Sequence, residues 1–215
     1  VKAKGGTVAG AVRHPLNASD FSSFLMQAQN SKAHIIGMAN ATQDAINTIK
    51  AAREFGITEK GQKLAALMLQ VTDVHAMGLR VAQGLVSSEG YYWDMDDQTR
   101  DFAARFEKVQ KVKPNQVHAG VYSSVLHYLK AVAAAKSDNA DAVSAKMREL
   151  PIKDAVMRNA SIRPDGRVIH DMYLVEVKTP AQSKGAWDYY NILSTIPANQ
   201  AFMPLAQSQC PLVKK

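Results

Sequence analysis

The residues of this chain that could do chemistry are few and scattered. Its six histidines, His14, His34, His75, His118, His127 and His170, show no HxxxH or HExxH spacing, so no helix offers paired imidazoles to a metal. Asp73-Val74-His75 brings an acid closest to an imidazole, but at a helix start that spacing points the two side chains apart. Cys210 is the single cysteine and follows no nucleophile motif. It cannot form an internal disulfide, so it is a free thiol or pairs with a partner outside this sequence. No GxSxG, phosphate-binding-loop or GxGxxG pattern occurs. The expectation is a protein that is not an enzyme, with no metal and no cofactor. What remains is binding, by hydroxyl, amide, imidazole and carboxylate groups held at defined places.

A recurring strand–helix pattern would hold them. Gly6–Val12, Ala33–Met38, Leu64–Leu69 and Leu85–Tyr92 predict strands, and Asp20–Asn30, Thr42–Phe55 and Val74–Gln83 predict the helices between them. Near-continuous apolar strands separated by single helices fit an α/β fold with a doubly wound parallel sheet covered on both faces. In the first helix Asn17, Ser19 and Asp20 offer cap oxygens, and Phe21, Phe24, Leu25 and Ala28 form the buried stripe. In the second, Thr42 is the cap candidate, Ala45, Ile46, Ile49, Ala52 and Phe55 face inward, and Gly56 supplies a left-handed stop. Gly78 weakens the third. Such a sheet binds ligands at the carboxyl ends of its strands. That rule singles out Arg13 and His14, then Ala39–Ala41, then Gln70–Asp73. Asn40 and Asp73 each have a competing role as caps of the helices that follow them.

Composition narrows the function further. Hydrophobic residues make up 47% of the 215, yet no apolar run approaches the roughly 20 residues needed to cross a bilayer. The formal net charge is +7, but the cations are scattered: Lys108, Lys111 and Lys113, then Arg148, Lys153 and Arg158, then Lys214 and Lys215. No basic stripe with interleaved aromatics forms, so nucleic acid is not an expected partner, and the charge reads as solvated surface with a bias toward anionic ligands. The sequence opens at Val1 with no initiator Met and no visible signal peptide, which predicts a processed or truncated form.

After Trp93 the pattern changes. Asp94-Met95-Asp96-Asp97 is an acidic connection, and three helices follow with no strand between them: Thr99–Val109, Gln116–Ala135 and Asn139–Leu150. They have apolar faces but no sheet of their own to cover. Residues 162–178 then predict a hairpin, with turn chemistry at Arg163-Pro164-Asp165-Gly166. The tail carries Trp187, Tyr189 and Tyr190 before an apolar run from Ile192 to Ile196.

This order of segments resembles the second half of a type I periplasmic solute-binding protein of the branched-chain amino-acid ABC-transporter family. The resemblance rests on Asp20-Phe21-Ser22-Ser23-Phe24-Leu25 with Gln27-Ala28-Gln29, on Ala33-His34-Ile35-Ile36-Gly37, on Gly84-Leu85, on Arg100 with Phe102, and on Gly120-Val121-Tyr122-Ser123-Ser124-Val125. Asp165-Gly166-Arg167 and the ending Cys210-Pro211-Leu212-Val213-Lys214-Lys215 add to it. The family implies two α/β lobes joined by three crossing segments that close like a hinge on one small ligand. Mapped here, residues 1–93 form the core of the C-terminal lobe, 94–154 the helices of an incomplete N-terminal lobe, and 155–215 a hairpin and return segment. The family's opening lobe, with its own sheet, is missing from this sequence. Residues after the second and third strands touch the ligand in that family, one of them an acid facing an ammonium. Asn40 fits the first place, and Thr72 or Asp73 the second. Tyr122 matches an aromatic position that can face the cleft, with core packing as the competing reading. His14 and His118 fall where the cleft is expected and could donate to a carboxylate.

The resemblance therefore implies a periplasmic component of an ABC importer. It would capture a small carboxylate-bearing ligand, an amino acid or an aromatic or aliphatic acid, and deliver it to a membrane permease. Two other classes stay open on the residues: a ligand-sensing regulatory receptor built on the same lobes, and a doubly wound α/β enzyme.

Overall fold

The computed structural model describes residues 1–211 and 213; the resembling residues Leu212, Lys214 and Lys215 lie outside the described residues. The chain divides into two compact units. The first comprises Val1–Ser88 and Val175–Asn191, the second Glu89–Leu174 and Ile192 onward, so the chain passes between them at three places.

The first unit is built from α1 (Ser22–Asn30), β1 (Ile35–Met38), α2 (Thr42–Glu54), β2 (Lys63–Ala66), α3 (Val71–Met77), α4 (Leu79–Ala82) and β3 (Val86–Glu89), whose last residue belongs to the second unit. β1 pairs parallel to β2 from Ile35↔Lys63 to Met38↔Ala66, and β2 pairs parallel to β3 through Ala65↔Val86 and Ala66↔Ser87. The expected α/β alternation is thus real, and its core consists of the predicted stripes: Leu25, Ala45, Ile49, Ala52, Leu64, Leu69, Val74 and Leu85 are buried. α2 ends as its sequence requires. Gly56 adopts φ 62°, its N–H donates to Arg53 O and that of Ile57 to Ala52 O, and Ile57 is buried. Those are the two bonds and the apolar contact of a Schellman stop.

Three sequence expectations need correction here. Gly6–Val12 is not a strand: it runs as exposed, unpaired chain, and β1 stands at the sheet edge. A strand is stable only when a neighbour takes its N–H and C=O groups and a face is covered. Neither is available to this segment among the described residues, and Gly6 and Gly10 add backbone entropy to the cost. The helix expected over Val74–Gln83 is two short helices, because Gly78 takes φ 77° and caps α3 through its N–H to Val74 O. The third and fourth strands are also shorter than their apolar runs, ending at Ala66 and Glu89.

The second unit carries α5 (Asp97–Gln110), α6 (Gln116–Ala135) and α7 (Ala140–Glu149). Their starts are set by side-chain caps: Asp96 Oδ1 accepts from Thr99 N, Asn115 Oδ1 from Val117 and His118 N, and Asn139 Oδ1 from Asp141 and Ala142 N. Tyr91, Phe102, Ala119 and Val156 form a buried cluster, with Trp93, Phe106, Tyr122 and Met157 against it. The other face of α6 is bare: Val117, Val121, Val125 and Leu129 recur every fourth residue and each is more than half exposed. This is the uncovered helix face the sequence led one to expect. Then come β4 (Ser161–Ile162), β5 (Val168–Ile169), β6 (Met172–Val177), β7 (Tyr190–Ile196) and α8 (Ala198–Ala201). β4 and β5 form the expected hairpin, antiparallel across a turn in which Gly166 has φ 80°. β6 instead joins the larger sheet, of order β1-β2-β3-β6-β7. The chain changes unit inside β3, β6 and β7.

Candidate ligand-binding site

The carboxyl ends of β1, β2 and β3 are the place to look, since the parallel ladder brings Met38, Ala66 and Ser87 into one row. Asn40 leaves that row two residues beyond Met38. Its Nδ2 donates to Thr48 Oγ1 at 2.8 Å and to Asp44 O at 3.3 Å, both on α2. Asn40 does not cap that helix by accepting a bond; the N-cap is Ala41, with no side-chain acceptor. Because the amide nitrogen faces α2, Oδ1 faces away from it, buried and without a hydrogen-bond partner. Ser87 is 3% exposed, and its Oγ is likewise unpartnered. A buried polar atom left without a partner costs about 1–3 kcal/mol, which a ligand group or a water can recover.

The turn between β1 and α2 is also strained. Thr42 sits at φ 52°, a left-handed conformation that costs a β-branched residue on the order of 1–3 kcal/mol. Asp44, buried in the first turn of α2, accepts the N–H of Asn17 through Oδ2 at 3.0 Å. That bond ties the loop before α1 to the start of α2.

After β2, α3 begins with Val71 and Thr72. Asp73, its third residue, accepts Gln70 N through Oδ2 at 2.9 Å, while its own N–H donates to Gln70 O. The acid is therefore engaged with the helix start, the competing role noted above, though as partner to a cap at Gln70 rather than as the cap itself. Burial pushes the Asp73 carboxyl above the usual carboxylate range, opposed by the Gln70 N–H.

The remaining candidates are dispersed. His14 lies in the loop before α1, its ring edge-on to Phe21 at 4.9 Å and its Nδ1 at 2.8 Å from Pro15 O. His118 and Tyr122 sit one turn apart on α6. His118 Nδ1 accepts Asn115 N, the ring lies 4.9 Å from Phe106, and burial lowers its pKa. Tyr122 packs 4.8 Å from Phe102, within the apolar cluster of the second unit. Asn40, Thr72, Asp73 and His14 thus belong to the first unit, and His118 and Tyr122 to the second.

Sequence reasoning passed over Ser87 and Glu89. A signal was present, since Val86-Ser87-Ser88-Glu89 places polar residues in a strand with neighbours on both sides, and Ser87 and Glu89 are buried. It weighed His75 only against Asp73, whereas the ring stacks on Trp187 at 3.9 Å and 6° and meets Tyr189 OH at 2.7 Å through Nδ1. Among the described residues no group of three or more His, Cys, Asp or Glu could hold a metal, and no helix is long and apolar enough to cross a membrane.

A parallel α/β unit with polar atoms at its strand ends, joined to a second unit by three passages, has the architecture of a two-lobed binding protein. A model of the periplasmic binding protein family matches residues 1–186, so the chain belongs to that family. A periplasmic binding protein from Burkholderia mallei is similar at 52% identity and TM-score 0.93, over 99% of this chain and 56% of its own length. A branched-chain amino-acid ABC transporter periplasmic ligand-binding protein from Burkholderia xenovorans shares 44% identity at TM-score 0.88, over 98% of this chain and 56% of its own. A solute-binding protein of an ABC transporter from Rhodopseudomonas palustris, in complex with p-hydroxybenzoic acid, shares the fold at 24% identity and TM-score 0.79, over 92% of this chain and 54% of its own. This chain therefore spans little more than half the length of these relatives. No curated protein matches it. The family implies an extracytoplasmic location.

Proposed function

We propose that this chain is the C-terminal portion of the solute-binding component of an ABC importer. It acts in the periplasm, where the protein captures a small carboxylate-bearing ligand between two lobes and presents it to a membrane permease. Residues 1–93 supply the core of one lobe, 94–154 the helices of the other, and 155–215 the return. Closure is the working step: each lobe contributes part of the polar shell, and the ligand stabilises the closed hinge.

The observation that carries this reading is the pair of unpartnered buried atoms, Asn40 Oδ1 and Ser87 Oγ, at the carboxyl ends of parallel strands beside a strained turn. The engagement of Asp73 with its own helix start removes the most obvious countercharge for an ammonium. That supports an aromatic or aliphatic acid over an amino acid, with a ligand hydroxyl as the donor that Asn40 Oδ1 lacks. Thermal-shift screening of the full-length protein against amino acids and against benzoate- and cinnamate-type acids tests it. A ligand at about 100 times its Kd adds about 2.7 kcal/mol of stability. Stabilisation confined to the amino acids would discard the aromatic-acid preference, and none from either panel would discard the small-carboxylate reading.

A further inference from the structure

A cavity of about 570 Å³ lies wholly in the second unit beside the β4–β5 hairpin, and none of its lining residues is a ligand candidate above. Its volume falls in the range of small-molecule sites. The hairpin turn gives it a rigid floor. Arg163 pairs with Asp165 in a fork, Nε to Oδ1 at 2.9 Å and Nη2 to Oδ2 at 2.6 Å, with both side chains largely buried. The remaining Nη1 donates to Met203 O at 2.8 Å, so the turn is fastened to the segment forming the opposite wall. The fork also cancels the charge of Asp165.

Arg167 is then the cation left over: it has no ion pair among the described residues, and its guanidinium stands 5.8 Å from the Phe202 ring centre. Phe202, Met203 and Val168 provide an apolar wall, with the His170 ring edge-on to Phe202 at 5.2 Å, and Cys210 lies on the lining. A guanidinium beside an aromatic and thioether wall suits an anion attached to a flat apolar body. We propose that this cavity is a binding site for a small aromatic monoanion, an arene carboxylate or sulfonate. Its charge would pair with Arg167 and its ring would lie against Phe202 and Met203.

Cys210 supplies a readout that needs no assumption about transport. The rate of iodoacetamide alkylation of the Cys210 peptide is measured by mass spectrometry in the full-length protein after mild reduction, which frees the thiol if it pairs outside this sequence, with benzoate or benzenesulfonate titrated against sodium chloride of equal ionic strength. The expected result is saturable protection, about tenfold at ten times Kd, absent with acetate or neutral benzamide and lost in Arg167→Gln. Phe202→Leu should weaken protection while circular dichroism shows both variants folded. The proposal is overturned if the arene anions protect no better than chloride, or if protection persists undiminished in Arg167→Gln.

Discussion

Replacing Asn40 with Ala separates a binding residue from a structural one, because its two faces have opposite energetic signs. The Nδ2 face loses a bond to Thr48 Oγ1 and a longer one to Asp44 O, at about 0.5–1.5 kcal/mol each. Asp44 O is not orphaned, since Thr48 Oγ1 still donates to it at 2.7 Å. The Oδ1 face is a buried acceptor with no partner, and its removal returns about 1–3 kcal/mol of desolvation cost. The two contributions nearly cancel, so Asn40→Ala should shift the unfolding free energy by less than about 1 kcal/mol. Ligand affinity should behave differently: if Oδ1 accepts from the ligand in a desolvated site, its loss costs about 1.4–3 kcal/mol, a factor of about ten to a hundred or more. Urea denaturation of the full-length protein with and without its best stabilising acid reads both quantities. Loss of more than about 2 kcal/mol in the free protein, with an undiminished ligand response, would make Asn40 a structural residue and refute the reasoning.

Other outcomes follow from single contacts. Burial lowers the His118 pKa, and its Nδ1 accepts Asn115 N only when unprotonated. The unfolded state therefore binds the proton more readily, and stability falls as pH drops through the unfolded histidine value near 6.5. His118→Gln should flatten the pH 5–7 limb of a Tm profile, and an unchanged limb would count against this cause. His75→Ala removes a ring stack and the bond to Tyr189, a loss of about 1–3 kcal/mol. It should also change Trp187 emission, read by fluorescence in a Trp93→Phe background. Val121→Asp on the bare face of α6 should alter the stability of the 215-residue chain by no more than about 0.5 kcal/mol. In the full-length protein, if a sheet of the other lobe covers that face, it should lower Tm by several degrees, and equal effects in both would argue against such a cover.

How far the sequence could be read depended on whether the determinants were local. α6 spans Gln116–Ala135 as its apolar pattern predicted, and the stop at Gly56 follows from one residue's freedom at positive φ. The strand-end rule likewise singled out Ala39–Ala41 as a stretch to read before any contact was known. The rule could not decide which atom of Asn40 faces α2, nor that Asp73 turns back on Gln70, because those choices depend on neighbours brought close by folding. Gly6–Val12 failed for the same reason in reverse. Its residues suit a strand, but a strand exists only in a ladder, and no described segment pairs with it.

The sequence by itself determined the α/β alternation, the span of α6, the stop at Gly56 and the apolar stripes that the helices bury. All of these follow from side-chain periodicity and from backbone preferences within a few residues. Only the tertiary structure decided which polar atoms at the strand ends are satisfied, that His75 meets Trp187 across more than a hundred residues of chain, and that Arg163 neutralises Asp165 while Arg167 has no ion pair among the described residues. Hydrogen bonding and charge pairing depend on distances of a few ångströms between chain-distant groups, and a linear pattern does not encode those distances.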